Sequence, residues 1–137
     1  MEFVNPLKKY QNKTHLVYSC QYHVIFCPKY RRKVLINGID VRLKEMFLEI
    51  ADKYDFEIVE MEIMPDYIHL LISCNPRFGI MNCITKLKSI TASKLTKEFP
   101  ELKSKLPTLW TRSAFISTVG SVSLDVVKQY IENQKNK

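Results

Sequence analysis

The spacing of apolar residues along the chain predicts which segments are strands and which are helices. Runs rich in β-branched and aromatic residues are typical of strands. They cover residues 15–27, 56–63, 67–73 and 113–119. Apolar residues spaced by three and four positions predict helices with one buried face. These helices cover residues 39–54 and 79–99, and a last helix begins near residues 121–123.

The predicted elements follow the order β-α-β-β-α-β-α. The first six have the split pattern of the ferredoxin-like fold, in which the helices pack on one face of an antiparallel sheet. We therefore predict an α+β protein with a ferredoxin-like βαββαβ antiparallel sheet, helices on one face, and an added C-terminal helix. The length suits a single domain over residues 1–137. Its polar first part, residues 1–13, is expected to be loose.

Basic residues outnumber acidic residues, and this imbalance narrows the range of partners. The chain has 21 Lys and Arg against 14 Asp and Glu, a net charge of +7 and a pI of about 9.2. Such a charge favours a polyanionic partner, because neutralised phosphates release their counterions. On charge alone, the alternative is a protein that is basic without having such a partner.

The sequence also bears on where in the cell the protein is located. No apolar run is long enough to cross a bilayer, and residues 1–10 lack the apolar core of a signal peptide. We therefore expect a cytoplasmic protein that makes no membrane contact.

The four cysteines, at positions 20, 27, 74 and 83, form no C-x-x-C pair. They are predicted to be small buried hydrophobes rather than zinc ligands.

Three groups of side chains are candidates for function. Tyr67 and His69 lie two residues apart on a predicted strand, so their side chains share one face. Tyr130 and Gln134 lie four residues apart on the predicted last helix and also share a face. The third group is basic and surrounds one tyrosine: Lys29, Tyr30, Arg31, Arg32 and Lys33. Cations can hold phosphates, and an aromatic ring can stack on an unpaired base.

Taken singly, each of these residues has a commoner structural explanation. A tyrosine is more often a packing residue, a lone histidine is more often satisfied by a neighbour than bound to a metal, and a charge run is usually a solvated face. Trp110, placed before the fourth strand, is expected to pack. Only the combination of the groups with their flanking segments favours a functional interpretation.

In that combination the sequence resembles the single-tyrosine HUH transposases (transposase A type) of small bacterial insertion sequences. The resemblance extends from Tyr18 to Gln134 and rests on long segments in the same order. These segments are YSCQYHVIFCPKYRRKVL (18–35), MPDYIHLLI (64–72), KLPTLWTRSAFISTVG (105–120) and VVKQYIENQ (126–134). Matches of this length and order are specific, whereas a lone Y-x-H or a lone helical tyrosine would not be.

The resemblance implies DNA transposition with Tyr130 as the nucleophile. In such enzymes a helical tyrosine attacks single-stranded DNA, forms a 5′-phosphotyrosine and frees a 3′-hydroxyl that later rejoins strands. Two strand histidines and a glutamine on the tyrosine helix hold Mg²⁺ or Mn²⁺ there, and His69 and Gln134 match two of these positions. The family also implies a homodimer that binds DNA hairpins at the element ends. The basic group from Lys29 to Lys33 would then contact DNA.

One position departs from the family pattern. Tyr67 stands where the first histidine of the HUH motif is expected, and a neutral phenol is a weak metal ligand. Asp66 is no simple replacement, because adjacent strand residues face opposite ways. Glu62 and His23 are other possible substitutes, although His23 is more readily explained as structural. The departure motivates an alternative, a catalytically impaired hairpin-binding protein derived from such a transposase. A metal-free structural or regulatory dimer is a third hypothesis.

Overall fold

The structure is a computed structural model, and it describes residues 11–13, 16–18, 20–119 and 124–137. Its strands are β1 (Gln11–Lys13), β2 (Leu16–Tyr18), β3 (Gln21–Phe26), β4 (Glu57–Met64), β5 (Tyr67–Ser73) and β6 (Phe115–Thr118). Its helices are α1 (Ile39–Lys53), α2 (Ile80–Glu98), α3 (Glu101–Lys105) and α4 (Leu124–Glu132). Residues 1–10 and the predicted start of the last helix at 121–123 lie outside the described residues.

Strands β3 to β6 form a four-stranded antiparallel sheet with the order β4-β5-β3-β6. This order is that of the ferredoxin-like fold, so the predicted α+β class is confirmed. The short strands β1 and β2 pair with each other in a separate two-stranded sheet. Among the helices in the described ranges, none combines the length and apolar composition needed to cross a bilayer.

Most element boundaries follow the predictions, and the exceptions concern strand partners and a short helix. The strand predicted over 15–27 is divided, because β2 pairs with β1 whereas β3 enters the main sheet. A run of β-forming residues does not reveal where the chain changes its pairing partner. Helix α3 was not predicted; it follows Pro100 and buries Leu102. Of residues 1–13, expected to be loose, the last three form β1.

The hydrophobic core lies between one face of the sheet and the helices α1 and α2. Strand side chains that alternate toward this face are fully buried, among them Val24, Phe26, Ile68, Leu70 and Ile72. The buried stripes of the two helices complete the same cluster. Alternation leaves the neighbouring strand residues on the opposite face, where α4 lies. That free face therefore carries the candidate site.

Three of the four cysteines are buried as predicted, Cys20 is not, and the tryptophan packs as predicted. Cys27, Cys74 and Cys83 are buried free thiols, while Cys20 is half-buried. Burial raises the pKa of Cys27 to about 12, so its thiol is unreactive at neutral pH. Trp110 packs edge-on against Phe26 with ring centroids 4.7 Å apart, and its indole N–H donates to Thr91 Oγ1 at 3.0 Å.

Phe26 should be among the most important core side chains for stability. It is fully buried and contacts both Phe47 and Trp110. We expect Phe26→Ala to lower the free energy of unfolding by about 3–5 kcal/mol in urea denaturation. The matched control is Val41→Ala, since Val41 is 61% exposed on α1 and should change stability by less than about 0.5 kcal/mol. Equal losses for the two variants would contradict this description of the core.

Candidate active site

The first part of the candidate site lies on the two central strands. His69 follows Ile68 on β5 and points to the free face together with Tyr67. Its register partners are Ile25 on β3 and Glu62 on β4, so those side chains share its face. His23, diagonal to it on β3, places its Nδ1 atom 3.0 Å from Nε2 of His69, and the rings stack. One imidazole donates and the other accepts in this contact.

The second part lies on α4, just beyond its end, and on the segment before β6. Tyr130 is on α4 as predicted, whereas Gln134, predicted on the same helix, follows the last helical residue, Glu132, in a turn. The Tyr130 hydroxyl lies 2.9 Å from Oγ of Ser113, and the same Oγ lies 3.1 Å from Oε1 of Gln134. Because an amide oxygen can only accept, the single Ser113 proton points to Gln134. The Tyr130 hydroxyl must then donate to Ser113. The result is a directed chain of hydrogen bonds from the phenol through a serine to a glutamine.

Further contacts hold this chain in place. Gln134 is 3% exposed, and its Nε2 donates to the Tyr130 carbonyl at 3.2 Å. The Tyr130 ring packs on Phe115 of β6, with centroids 5.4 Å apart. The Lys88 ammonium donates to the carbonyls of Thr111 at 2.6 Å and Ser113 at 3.0 Å. Lys88 of α2 therefore fixes the segment that carries Ser113.

The local environment sets the protonation of the candidate residues. Burial raises the pKa of Tyr130, and the hydrogen bond between its hydroxyl and that of Ser113 offsets part of that rise. Burial and the nearby Glu62 and Asp66 carboxylates raise the pKa of Tyr67, so its phenol is neutral at physiological pH. Burial and the neighbouring His23 lower the pKa of His69. The imidazole of His69 is consequently neutral near pH 7 and has a lone pair to share.

The basic segment forms a tight turn instead of an extended charge run. Residues Lys29–Arg31 make one helical turn in which Tyr30 and Arg31 have φ values of 59° and 50°. Such left-handed conformations are costly for residues with a side chain. Arg32 and Lys33 are exposed, and Tyr30 is 42% exposed with the Lys29 ammonium 5.3 Å from its ring centre.

Arg31 differs from its basic neighbours because its side chain turns inward. Its Nε atom lies 3.0 Å from Oδ2 of Asp66, and its Nη1 atom lies 3.2 Å from Oε2 of Glu132. Nη1 also donates to the carbonyl of Ile131 at 3.3 Å. Arg31 thus connects the turn before β5 to the end of α4.

A groove adjoins the basic turn. It has a volume of about 680 Å³ and lies between the turn, α2 and residues 107–112. Its lining includes Lys29, Tyr30, Lys88, Trp110 and Arg112. The groove therefore combines cations with aromatic rings at the surface of the molecule.

The structure brings some of the predicted site residues together and leaves others apart. Tyr130 and Gln134 meet through Ser113, whereas His69 contacts His23 on the neighbouring strand β3. Within the described residues, no three His, Cys, Asp or Glu side chains form a group that could hold a metal ion. Sequence reasoning missed Ser113 and Lys88, because residues 17 and 42 positions away from Tyr130 show no periodic relation to it.

The fold is that of a transposase. A crystal structure of a Deinococcus radiodurans protein described as a transposase superposes with a TM-score of 0.84 at 34% identity, covering 93% of this chain and 99% of that one. A REP-associated tyrosine transposase bound to a REP hairpin shares the fold more distantly, with a TM-score of 0.55 at 11% identity over 96% of this chain and 68% of that one.

Sequence comparison narrows the class to one family. Residues 16–134 match the family described as "Transposase IS200 like", and the chain belongs to it. The ISDra2 transposase TnpA of Deinococcus radiodurans is 37% identical over 123 residues, which cover 88% of each chain. A transposase for insertion sequence element IS200 from Salmonella typhimurium is 27% identical over 126 residues, covering 88% of this chain and 83% of that protein.

The Ser113 hydroxyl should stabilise the protein measurably. We expect Ser113→Ala to lower the free energy of unfolding by about 1–3 kcal/mol, because the buried amide oxygen of Gln134 loses its donor. Ser113→Thr keeps a hydroxyl and should recover part of the loss. Ser104→Ala is a surface control, since the exposed Ser104 hydroxyl donates to the Glu101 carbonyl of its own short helix. Denaturant unfolding of the four proteins is the measurement, and indistinguishable Ser113→Ala and Ser104→Ala curves would refute the expectation.

Proposed function

We propose that this IS200-like transposase cleaves and rejoins single-stranded DNA at element-end hairpins, with Tyr130 as its nucleophile. The chain's membership of the family supports DNA transposition as the overall activity. The observation that carries the finer proposal is the hydrogen-bond chain from the Tyr130 hydroxyl to Ser113 and Gln134. The Tyr130 ring packs on Phe115, whose register partner Ile25 also pairs with His69, so the ring lies on the face of the sheet to which His69 points.

The proposed reaction is one phosphodiester exchange followed by its reverse. The phenolic oxygen of Tyr130 attacks the scissile phosphorus, a P–O bond to tyrosine forms, and the P–O3′ bond breaks. The products are a 5′-phosphotyrosine and a 3′-hydroxyl, which takes up the proton that the phenol gives away. A 3′-hydroxyl then attacks the phosphotyrosine, and tyrosine leaves with a proton. No bond energy is lost, so strands can be rejoined without a further energy source.

Within the site, Ser113 is placed to act on the nucleophile. In the resting arrangement the Ser113 oxygen accepts a hydrogen bond from the phenol. The serine hydroxyl can rotate to donate a hydrogen bond to a developing phenolate. Burial opposes ionisation of Tyr130, so stabilisation of this kind is needed at neutral pH. Lys88 supports the same function indirectly, because it fixes the backbone of residue 113.

The proposed cofactor is Mg²⁺ or Mn²⁺, and the donor types near the site fit such an ion in part. His69 provides a neutral imidazole and Gln134 an amide oxygen. Tyr67 is a poor third ligand because its phenol stays protonated. His23 provides a second imidazole 3.0 Å from His69, so it can take over the role that the missing histidine leaves open. When bound, the ion would polarise the scissile phosphate and stabilise developing charge.

The proposed DNA contacts lie on the basic turn and its groove. Lys29, Arg32 and Lys33 provide cations for phosphates, and Tyr30 provides an exposed ring on which an unpaired base can stack. A distant neighbour with the same fold is bound to a REP hairpin, which makes a DNA hairpin a reasonable ligand to test. By resemblance to the family we also propose that the protein acts in the cytoplasm as a homodimer.

A second candidate function is hairpin binding without cleavage. It is favoured by one observation, the phenol of Tyr67 at a position where a strong ligand is expected. Both functions need the basic turn, but only cleavage needs Tyr130. A single assay therefore separates them.

We expect wild-type protein to form a covalent adduct with a labelled DNA hairpin from the flank of its own gene, in the presence of Mg²⁺ or Mn²⁺. Denaturing gel electrophoresis detects the adduct. Tyr130→Phe should abolish it while leaving hairpin affinity within about twofold, because the ring that packs on Phe115 is kept.

Two controls decide the interpretation of this assay. Tyr54→Phe removes a hydroxyl from a tyrosine that follows the end of α1 and packs against the core, and it should leave the adduct unchanged. If the wild-type protein binds the hairpin but forms no adduct, the second candidate function, hairpin binding without cleavage, is favoured. An adduct that persists in Tyr130→Phe would place the nucleophile elsewhere.

The ligand positions should be separable by metal titration. We expect Tyr67→His to tighten Mn²⁺ binding by at least about tenfold, because an imidazole replaces a neutral phenol. His23→Ala should weaken Mn²⁺ binding in the wild-type background, and should matter less once Tyr67→His supplies another imidazole. Calorimetric titration of the two single variants and the double variant measures both effects. Unchanged affinity in all three would show that these strand positions do not hold the ion.

A further inference from the structure

We propose that Arg31 is a positioning residue that fixes the tyrosine-bearing helix α4 on the free face of the sheet. In this role it acts through Asp66 and the end of α4 rather than through contact with DNA. The catalytic consequence rests on the proposed function, because it assumes that Tyr130 is the nucleophile. The structural part stands on the contacts of Arg31 alone.

The contacts of Arg31 link two elements that are distant in sequence. One edge of the guanidinium meets Asp66, in the turn between β4 and β5, at 3.0 Å. The other meets the Glu132 carboxylate at 3.2 Å and the Ile131 carbonyl at 3.3 Å. A planar guanidinium can hold several acceptors at fixed angles, which an ammonium cannot do. Arg31 therefore constrains both the position and the direction of the last turn of α4.

Burial distinguishes Arg31 from a surface cation. Its side chain is 17% exposed and that of Asp66 is 15% exposed. An ion pair that is shielded in this way is less screened by salt than an exposed one. Glu132 is 61% exposed, so its pair with Arg31 contributes less. The Asp66 pair and the Ile131 carbonyl are therefore the main parts of the connection.

The backbone around Arg31 is also organised to place this side chain. Tyr30 and Arg31 both have positive φ, although neither is glycine. Such conformations persist only where the surroundings impose them. Here the turn is held by the Lys29 N–H, which donates to the Leu109 carbonyl at 2.8 Å, and by the Arg31 N–H, which donates to the Pro28 carbonyl at 2.8 Å. The strained turn directs Arg31 inward while Tyr30 and Arg32 stay exposed.

The position of Tyr130 explains why this connection matters for function. Tyr130 lies one residue before Ile131, whose carbonyl Arg31 holds. The hydroxyl of Tyr130 reaches Ser113 only while α4 keeps its place on the sheet. Release of the last turn would disturb Tyr130 and Gln134 together. We therefore assign to Arg31 an effect on the rate of strand cleavage rather than on DNA affinity.

The test compares wild type with the full-length variants Arg31→Ala, Arg31→Lys, Asp66→Asn and Arg32→Ala. Hydrogen exchange of the peptide covering α4 is measured without DNA. Affinity for the flanking-DNA hairpin and the rate of adduct formation at saturating hairpin are measured separately. Arg31→Ala and Asp66→Asn should each speed exchange in α4 and slow adduct formation by about tenfold. Arg31→Lys keeps the positive charge but loses the planar guanidinium that holds several acceptors. It should therefore show most of the loss in the rate of adduct formation, with hairpin affinity near wild type.

The matched control is Arg32→Ala, which removes an exposed cation from the same turn. It should weaken hairpin binding and leave α4 exchange unchanged. The proposal is overturned if Arg31→Ala weakens hairpin binding while α4 exchanges as in wild type, or if Arg31→Lys restores the adduct rate in full. Should Arg31→Ala fail to fold, Asp66→Asn decides, because it breaks the pair without removing a cation. Absence of any wild-type adduct would refute the proposed function, while the exchange data still decide the role of Arg31.

Discussion

The antiparallel pairing of β3 with β5 determines what each face of the sheet can do. In this register Val24 pairs with Leu70 toward the helices, and Ile25 pairs with His69 toward α4. A shift by one residue would send the core side chains to the free face and the histidine into the apolar layer. Burial of Ile68 and Leu70 opposes such a shift, so the hydrophobic core also fixes the direction of the side chains of the candidate site.

Local patterns in the sequence predict this arrangement well where the relevant residues are neighbours. The strand Tyr67–Ser73 and the two long helices follow from period-two and period-3.6 spacing, since burial on one face imposes those periods. The division between β2 and β3 could not be predicted, because it depends on which distant strand is available for pairing. The contact of Ser113 with Tyr130 has the same origin, since two elements approach each other only after folding.

Net charge gives the least specific prediction of a binding surface, because it does not show which lysines and arginines are exposed and which are held by contacts within the protein. Lys88 is bonded to two carbonyls, and burial lowers its pKa. Arg42 is bonded to Glu98, and Arg31 to Asp66. These three cations are engaged in contacts within the protein, and the sequence alone does not distinguish them from exposed lysines and arginines. The excess of basic residues predicts a polyanionic partner, and the cations that the structure leaves exposed for such a contact include Arg32 and Lys33 of the turn.

The same sheet geometry bears on Tyr67, which stands where the resemblance to HUH transposases implies a histidine. In an antiparallel sheet a side chain has neighbours on its own strand, directly opposite, and diagonally on the next strand. His69 has a phenol as its neighbour on β5, whereas its diagonal neighbour on β3 is His23, at 3.0 Å. A second imidazole is therefore available on the same face without any change in backbone. The proposed role of His23 in metal binding can therefore be tested separately from the proposed role of Tyr130 as the nucleophile.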